Sequence, residues 1–165
     1  MLAPDPTLAI MLSALSAFWK QQAITCPPVE LPYVQAIAEA NKVILPPDFE
    51  QLYRTVNGTP DLYPNFLDDR YCSFLPVEAL RTEEKEVLVI ACNTATLKTE
   101  RVTVFVDYMH RSWEYGFIVN DNENYQIGII PTNDVFKVIT TSLATFLEWY
   151  IADADVLYDY RYPDA

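Results

Sequence analysis

The stretch LPPDFEQLYRTVNGTPDLYP, residues 45–64, decides how this chain is read. Pro46 and Pro47 suit a helix entrance, because a first-turn proline gives up no hydrogen bond and its φ is already set. Phe49, Leu52, Tyr53 and Val56 then recur at i, i+3, i+4 and i+7, an apolar stripe on a short helix over 47–57. Gly58, following Asn57, supplies a stop, since glycine takes the left-handed conformation without a Cβ penalty. Residues 59–71 hold two prolines and no usable period, so a surface loop follows. The unit reads as helix, stop and loop, and it carries no chemistry.

The pattern extends in both directions. Asp5 at the N-cap and Pro6 at the first position start a helix over 6–22, with Leu8, Met11, Leu12, Leu15, Phe18 and Trp19 on its buried face. Pro27, Pro28 and Pro32 interrupt the chain, and a second helix spans 33–42 with Val34, Ile37, Ala38 and Asn41 on one side. Downstream, 86–91 and 102–109 are β-branched runs, apolar on both faces, which suits a sheet covered on both sides. Residues 113–119 and 125–130 flank the turn-rich NDNEN and predict a hairpin; 135–139 completes a meander. Ser142 caps a last helix whose stripe is Leu143, Phe146, Leu147, Tyr150 and Ile151, with Trp149 off it. Acids and tyrosines alternate in the tail, 156–165, which frays or lies across the surface. This order predicts one α+β domain over 1–165: N-terminal helices, a central antiparallel sheet of about four to six strands, and a C-terminal helix packed on it.

Composition narrows the function. A chain of 165 residues buries roughly 70% of its unfolded surface. At 51% hydrophobic it is not disordered. It has 3 glycines and no phosphate-loop spacing. Eleven basic residues against 23 acidic ones give −12, which disfavours nucleic acid and anionic membrane and reads first as solubility, second as attraction to a basic partner. Cys26, Cys72 and Cys92 show no CxxC spacing, so buried free thiols in a reducing compartment are expected. The N-terminal segment lacks a basic n-region and its apolar run is short, so a cytoplasmic protein is expected.

Residues with chemistry are few. His110 is the single histidine and falls in a strand-to-strand turn beside Arg111. No serine sits in a GxSxG elbow. NDNEN fails as a calcium loop, because Gln126 and Thr132 stand where glycine and a bidentate glutamate are needed. Asp107 near a strand end reads as an edge or turn acceptor before a catalytic base. Trp113, Tyr115 and Phe117 share a strand face, read first as core and second as a binding ledge.

Together the pieces resemble the SUKH superfamily, named partly after fungal regulators of cell-wall synthesis. The resemblance rests on VQAIAEANKV followed by ILPPDFEQLYRTVNGTP, on FLPVEAL at 74–80, and on the late SLATFLEWYIAD. Many members carry a second glycine after Asn-Gly, where this chain has Thr59 and Pro60, and residues 1–25 have no clear counterpart. Bacterial members are mostly immunity proteins of polymorphic toxin systems. The resemblance therefore implies a non-catalytic domain, without cofactor or metal, that binds and neutralises a protein toxin. The net charge suits a basic, nuclease-type one. The alternatives are a regulatory scaffold without a toxin partner and a small-molecule-binding domain. Acids lie near aromatics in two segments, which sets the expected partner surface: Asp61, Tyr63, Phe66, Asp68 and Asp69 in the loop, and Trp113, Glu114, Asp121 and Glu123 around the hairpin.

Overall fold

Capping chemistry starts the first and last helices at the expected residues. In the computed structural model of the protein, which describes residues 5–59 and 68–161, helix α1 spans Pro6–Gln21. The Asp5 carboxylate accepts the Thr7 N–H at 2.9 Å, and Leu8, Leu12, Leu15 and Trp19 are buried. Met11 and Phe18 are only partly covered. Helix α2, Leu31–Ala40, begins earlier than expected because Pro32 lies in its first turn, where proline starts helices and does not break them. Helix α3 is Pro47–Thr55, and α4 is Leu143–Ala152, capped by Ser142 Oγ accepting the Thr145 N–H at 3.2 Å. Helix α1 packs along α4, where Trp19 Nε1–H donates to the Tyr150 hydroxyl at 2.8 Å. Helix α1 thus contributes Leu8, Leu12, Leu15 and Trp19 to the core.

The opening stretch departs from its reading at one point. Helix α3 ends at Thr55, because Val56 is extended (φ −144°) and buried. Gly58 is left-handed (φ +73°) two residues beyond the helix. A Cβ on Gly58 would stand 2.6 Å from both the Phe74 carbonyl oxygen and the Pro76 nitrogen, so glycine is there for close approach. The Thr59 N–H donates to the Phe74 carbonyl at 2.9 Å, and Asn57 Oδ1 accepts the Val77 N–H at 2.8 Å. The Asn57 amide also donates to Glu78 at 3.0 Å. Residues 57–59 are therefore clamped to 74–78 and not released into solvent.

Six strands follow: β1 Cys72–Phe74, β2 Arg81–Ala91, β3 Thr94–Tyr108, β4 Trp113–Val119, β5 Tyr125–Ile130 and β6 Val135–Thr140. They pair in the order β1-β3-β2-β6-β5-β4, and β4 also pairs with β3. Strands β2 to β6 therefore close into a five-membered ring. One pair departs from the expected antiparallel sheet: β2 and β6 run parallel, Leu88 opposite Val135 through Ile90 opposite Lys137. The reason is topological: an odd ring cannot alternate direction at every pair. Val87, Val89, Val102, Ile118, Ile130 and Phe136 fill the interior of this small barrel. The outer face carries Phe105, Tyr115, Phe117, Ile127 and Ile129 against the helices, with the Phe49 ring 4.1 Å from Phe117 and 5.1 Å from Phe105. Two cores explain why β-branched runs such as 102–109 are apolar on both faces.

Two further differences concern extent. Strand β2 begins before the expected 86–91 and β3 before the expected 102–109, the two joined by a turn at Cys92–Asn93. The added residues, 81–85 and 94–101, are largely polar and exposed, so periodicity did not mark them. The tail docks at its start: Asp155–Tyr158 forms a 3-10 turn with Leu157 buried. Among the described residues, no helix is long and apolar enough to cross a membrane.

Candidate partner-binding ledge

The structure divides the surface expected from sequence. Asp61, Tyr63 and Phe66 lie outside the described residues. Asp68 is corrected from a steering acid to an interior group, only 6% exposed. Its Oδ1 accepts the N–H groups of Arg70 at 2.8 Å and Cys72 at 2.9 Å, and its Oδ2 accepts the Tyr150 hydroxyl. Arg70 then reaches back to α4, donating to the Ile151 carbonyl at 2.8 Å while its guanidinium lies over the Phe18 ring. Asp68 is thus the node that fixes the end of the loop to α1 and α4. Asp69 is exposed, with its N–H held by Gln22 Oε1 at 2.7 Å.

Burial pushes the Asp68 carboxyl up to about 6 from its ordinary 3.8, against the pull of its two backbone N–H donors. Between those values the folded state holds the proton more tightly than the unfolded chain. The contribution to stability is thus full below 3.8 and lost as pH rises through 6. Asp68→Asn keeps the acceptor for Arg70 and Cys72 and removes the titration. In urea melts from about pH 4 to about pH 7, the wild type should lose about 1–3 kcal/mol relative to the Asn variant. Parallel pH curves for the two proteins would refute this.

The hairpin residues part company as well. Trp113 and Glu114 open β4, whereas Asp121 and Glu123 lie in a 3-10 turn beyond its far end, about 20 Å away along a seven-residue strand. Burial raises the Glu50 carboxyl, and Glu123 adds to the rise, which places that turn beside α3. Glu114 is half-buried and tied to Arg81 at 2.7 Å. The six described residues of the expected patch therefore do not form one face.

Trp113 instead joins aromatics that the sequence reading left out. Its ring stacks on Tyr108 with centroids 4.1 Å apart, and Tyr160 of the tail lies 5.4 Å away across it. Tyr158 closes edge-on at 5.6 Å from Tyr108. Tyr71 and Met109 extend the ledge, joined by the Met109 N–H to the Tyr71 carbonyl at 2.9 Å. Tyr71 is 56% exposed, and Met109 and Tyr160 are exposed too. Below the ledge, Trp113 Nε1–H donates to the Tyr115 hydroxyl, which donates to the Leu157 carbonyl at 2.5 Å. Lys137 Nζ donates to the Asp159 and Arg161 carbonyls, so the tail is strapped down across β6.

The turn that presents Met109 is held in an uncommon shape. Met109, His110 and Arg111 are all left-handed (φ 45°, 56° and 67°), as is Tyr71 (φ 61°). Such residues cost on the order of 1 kcal/mol each and persist where surroundings enforce them. Here Asp107 Oδ1 accepts the Arg111 N–H at 2.7 Å, and Ser112 bonds back to Tyr108 and Met109. Asp107 is thus a turn acceptor. His110 is exposed in that turn. Among the described residues, no group of three or more His, Cys, Asp or Glu side chains is arranged to hold a metal ion. The ledge offers flat aromatic faces and a thioether, with Asp153 accepting the Tyr158 hydroxyl at its margin, a surface for contact. Besides the second reading of Trp113 as a binding ledge, the alternating tyrosines of YDYRY, residues 158–162, were a sequence signal for it.

No protein-family model matches the chain, and no curated protein matches it at a significant level.

Proposed function

We propose that this protein is a non-catalytic binding domain of the immunity type, which neutralises a basic protein toxin by stoichiometric association through the aromatic ledge. The observation that carries the reading is the ledge itself: Tyr71, Met109 and Tyr160 are exposed beside the Trp113–Tyr108 stack, on a backbone that is costly to hold. Exposed apolar groups clustered on a rigid frame mark an interaction site, and buried aromatics dominate interface energies. The charge of −12 speeds encounter with a basic protein, and the resemblance to the SUKH superfamily names the class of partner.

The test is co-expression with the product of the neighbouring gene, followed by binding kinetics. A neutralising complex restores growth. Trp113→Ala and Tyr71→Ala are expected to speed dissociation, each costing about 2 kcal/mol, or roughly thirtyfold in affinity. Neutralising Asp121 and Glu123 together leaves the dissociation rate unchanged, because that turn is at the other end of β4. Growth rescue that survives Trp113→Ala and Tyr71→Ala with wild-type kinetics would remove the ledge from the interface.

A further inference from the structure

Among the described residues, the outer edge of β3 has no strand partner from Thr94 to Arg101, because β4 joins it only at Val102. Thr94 to Thr99 are exposed, and Leu97 is 61% exposed across from Leu88. Open edges are commonly blunted by proline, a bulge, charged side chains or a covering element, and here the charges are Lys98 and, at the foot, Arg101, whose guanidinium donates to the Lys42 carbonyl at 2.5 Å. Along these eight residues the sequence TATLKTER has no proline and its pairing with β2 has no bulge. At the foot of the edge, where the chain turns away after Val119, lies a half-open cleft of about 330 Å³ lined by Ile44, Val119, Thr99, Glu100 and Arg101.

We propose that this edge pairs antiparallel with the same edge of a second copy to form a symmetric dimer with Leu97 on the two-fold axis. The proposal is independent of the ledge, which lies at the other end of β3, roughly 35 Å from Leu97. Three constraints fix the register. The Cys92–Asn93 turn makes Ala91 and Thr94 a hydrogen-bonded pair, so the backbone groups of Ala95, Leu97, Thr99 and Arg101 point outward and must pair among themselves. Ile118 already occupies the place opposite Val102, so the incoming strand cannot extend past Arg101. Pairing Lys98 with its own copy would set like charges face to face. The longest register that satisfies all three sets Leu97 against Leu97, Ala95 against Thr99 and Thr94 against Glu100. It also brings the partner's Asn93 opposite Arg101, at the cleft.

Charge favours this segment over the rest of the surface. Lys98, Glu100 and Arg101 leave it with one net positive charge, on a chain that carries −12. Repulsion between the two bodies remains, so added salt strengthens the dimer. Pairing covers Leu97 and satisfies the outward amides of both copies.

The test uses the full chain with Cys92→Ser, which removes the exposed native thiol. Single variants Leu97→Cys and Thr99→Cys are oxidised with a glutathione couple. Leu97→Cys places its thiol directly opposite its copy and is expected to cross-link about tenfold faster than Thr99→Cys, whose copy lies four positions away. The double variant Ala95→Cys, Thr99→Cys cross-links where neither single variant does. Sedimentation equilibrium of the wild type shows a mass that rises towards two chains with protein and salt concentration, and Leu97→Lys abolishes the rise. Each position is exposed, so circular dichroism should match wild type throughout. Equal cross-linking of Leu97→Cys and Thr99→Cys, or a single-chain mass at every concentration, would overturn the proposal and leave the edge to a strand from a different protein.

Discussion

Gly58→Val is expected to destabilise the protein by about 3–5 kcal/mol, lowering the melting temperature by about 10 °C or more. Two independent costs add at this residue. The left-handed φ of +73° is strained for a β-branched side chain. In addition, the new Cβ would sit 2.6 Å from two backbone atoms, the Phe74 carbonyl oxygen and the Pro76 nitrogen, neither of which can rotate away. Relieving the clash moves residues 57–59 off 74–78 and breaks the bonds from Asn57 to Val77 and from Thr59 to Phe74. Gly58→Ala carries the same clash with less bulk and should fall between the two proteins. Thermal and urea melts measure all three. Wild-type melting of Gly58→Val would mean that this close approach is absent.

The second large effect lies inside the barrel. Phe136 is fully buried and faces Gly128 on the neighbouring strand, where a Cβ would meet its ring at 2.6 Å. Phe136→Ala should cost about 3–5 kcal/mol, because the closed ring of strands cannot collapse onto the cavity. Gly128→Ala should cost about 1–3 kcal/mol by overpacking. Combined, the two should cost clearly less than their sum, since the ring that blocks the new methyl is gone, while the Lys137 carbonyl at 2.8 Å still resists it. Additive losses in a double-mutant cycle would show that residues 128 and 136 do not share one interior.

The elements that could be read from sequence were those with strong local determinants. The Ser142 cap, the Asp5–Pro6 start, the Phe49, Leu52 and Tyr53 stripe of α3 and the β4–β5 hairpin each depend on neighbours within a turn or two. Asp68 shows where that reasoning stops. Its sequence neighbours, Asp69 and Arg70, suggest a solvated acidic loop, and only Tyr150, 82 positions away, makes it an interior carboxylate. Trp113 shows the converse. Strand alternation placed it with Tyr115 and Phe117, yet it lies at the strand's end, where the core runs out and Tyr108 and Tyr160 take over.

By itself the sequence determined an α+β chain with helices before and after a run of strands, its acidity, and the lack of a metal- or phosphate-binding spacing. These follow from period, capping and composition, which are local or additive properties. The closure of five strands into a ring, the parallel β2–β6 pair that an odd ring requires, the gathering of Tyr71, Tyr108, Trp113 and Tyr160 on one ledge, and the open edge of β3 were decided only by tertiary structure. Each depends on contacts between residues far apart in the chain. Their cost is loop-closure entropy and their gain is shared burial, and neither leaves a periodic mark on the sequence.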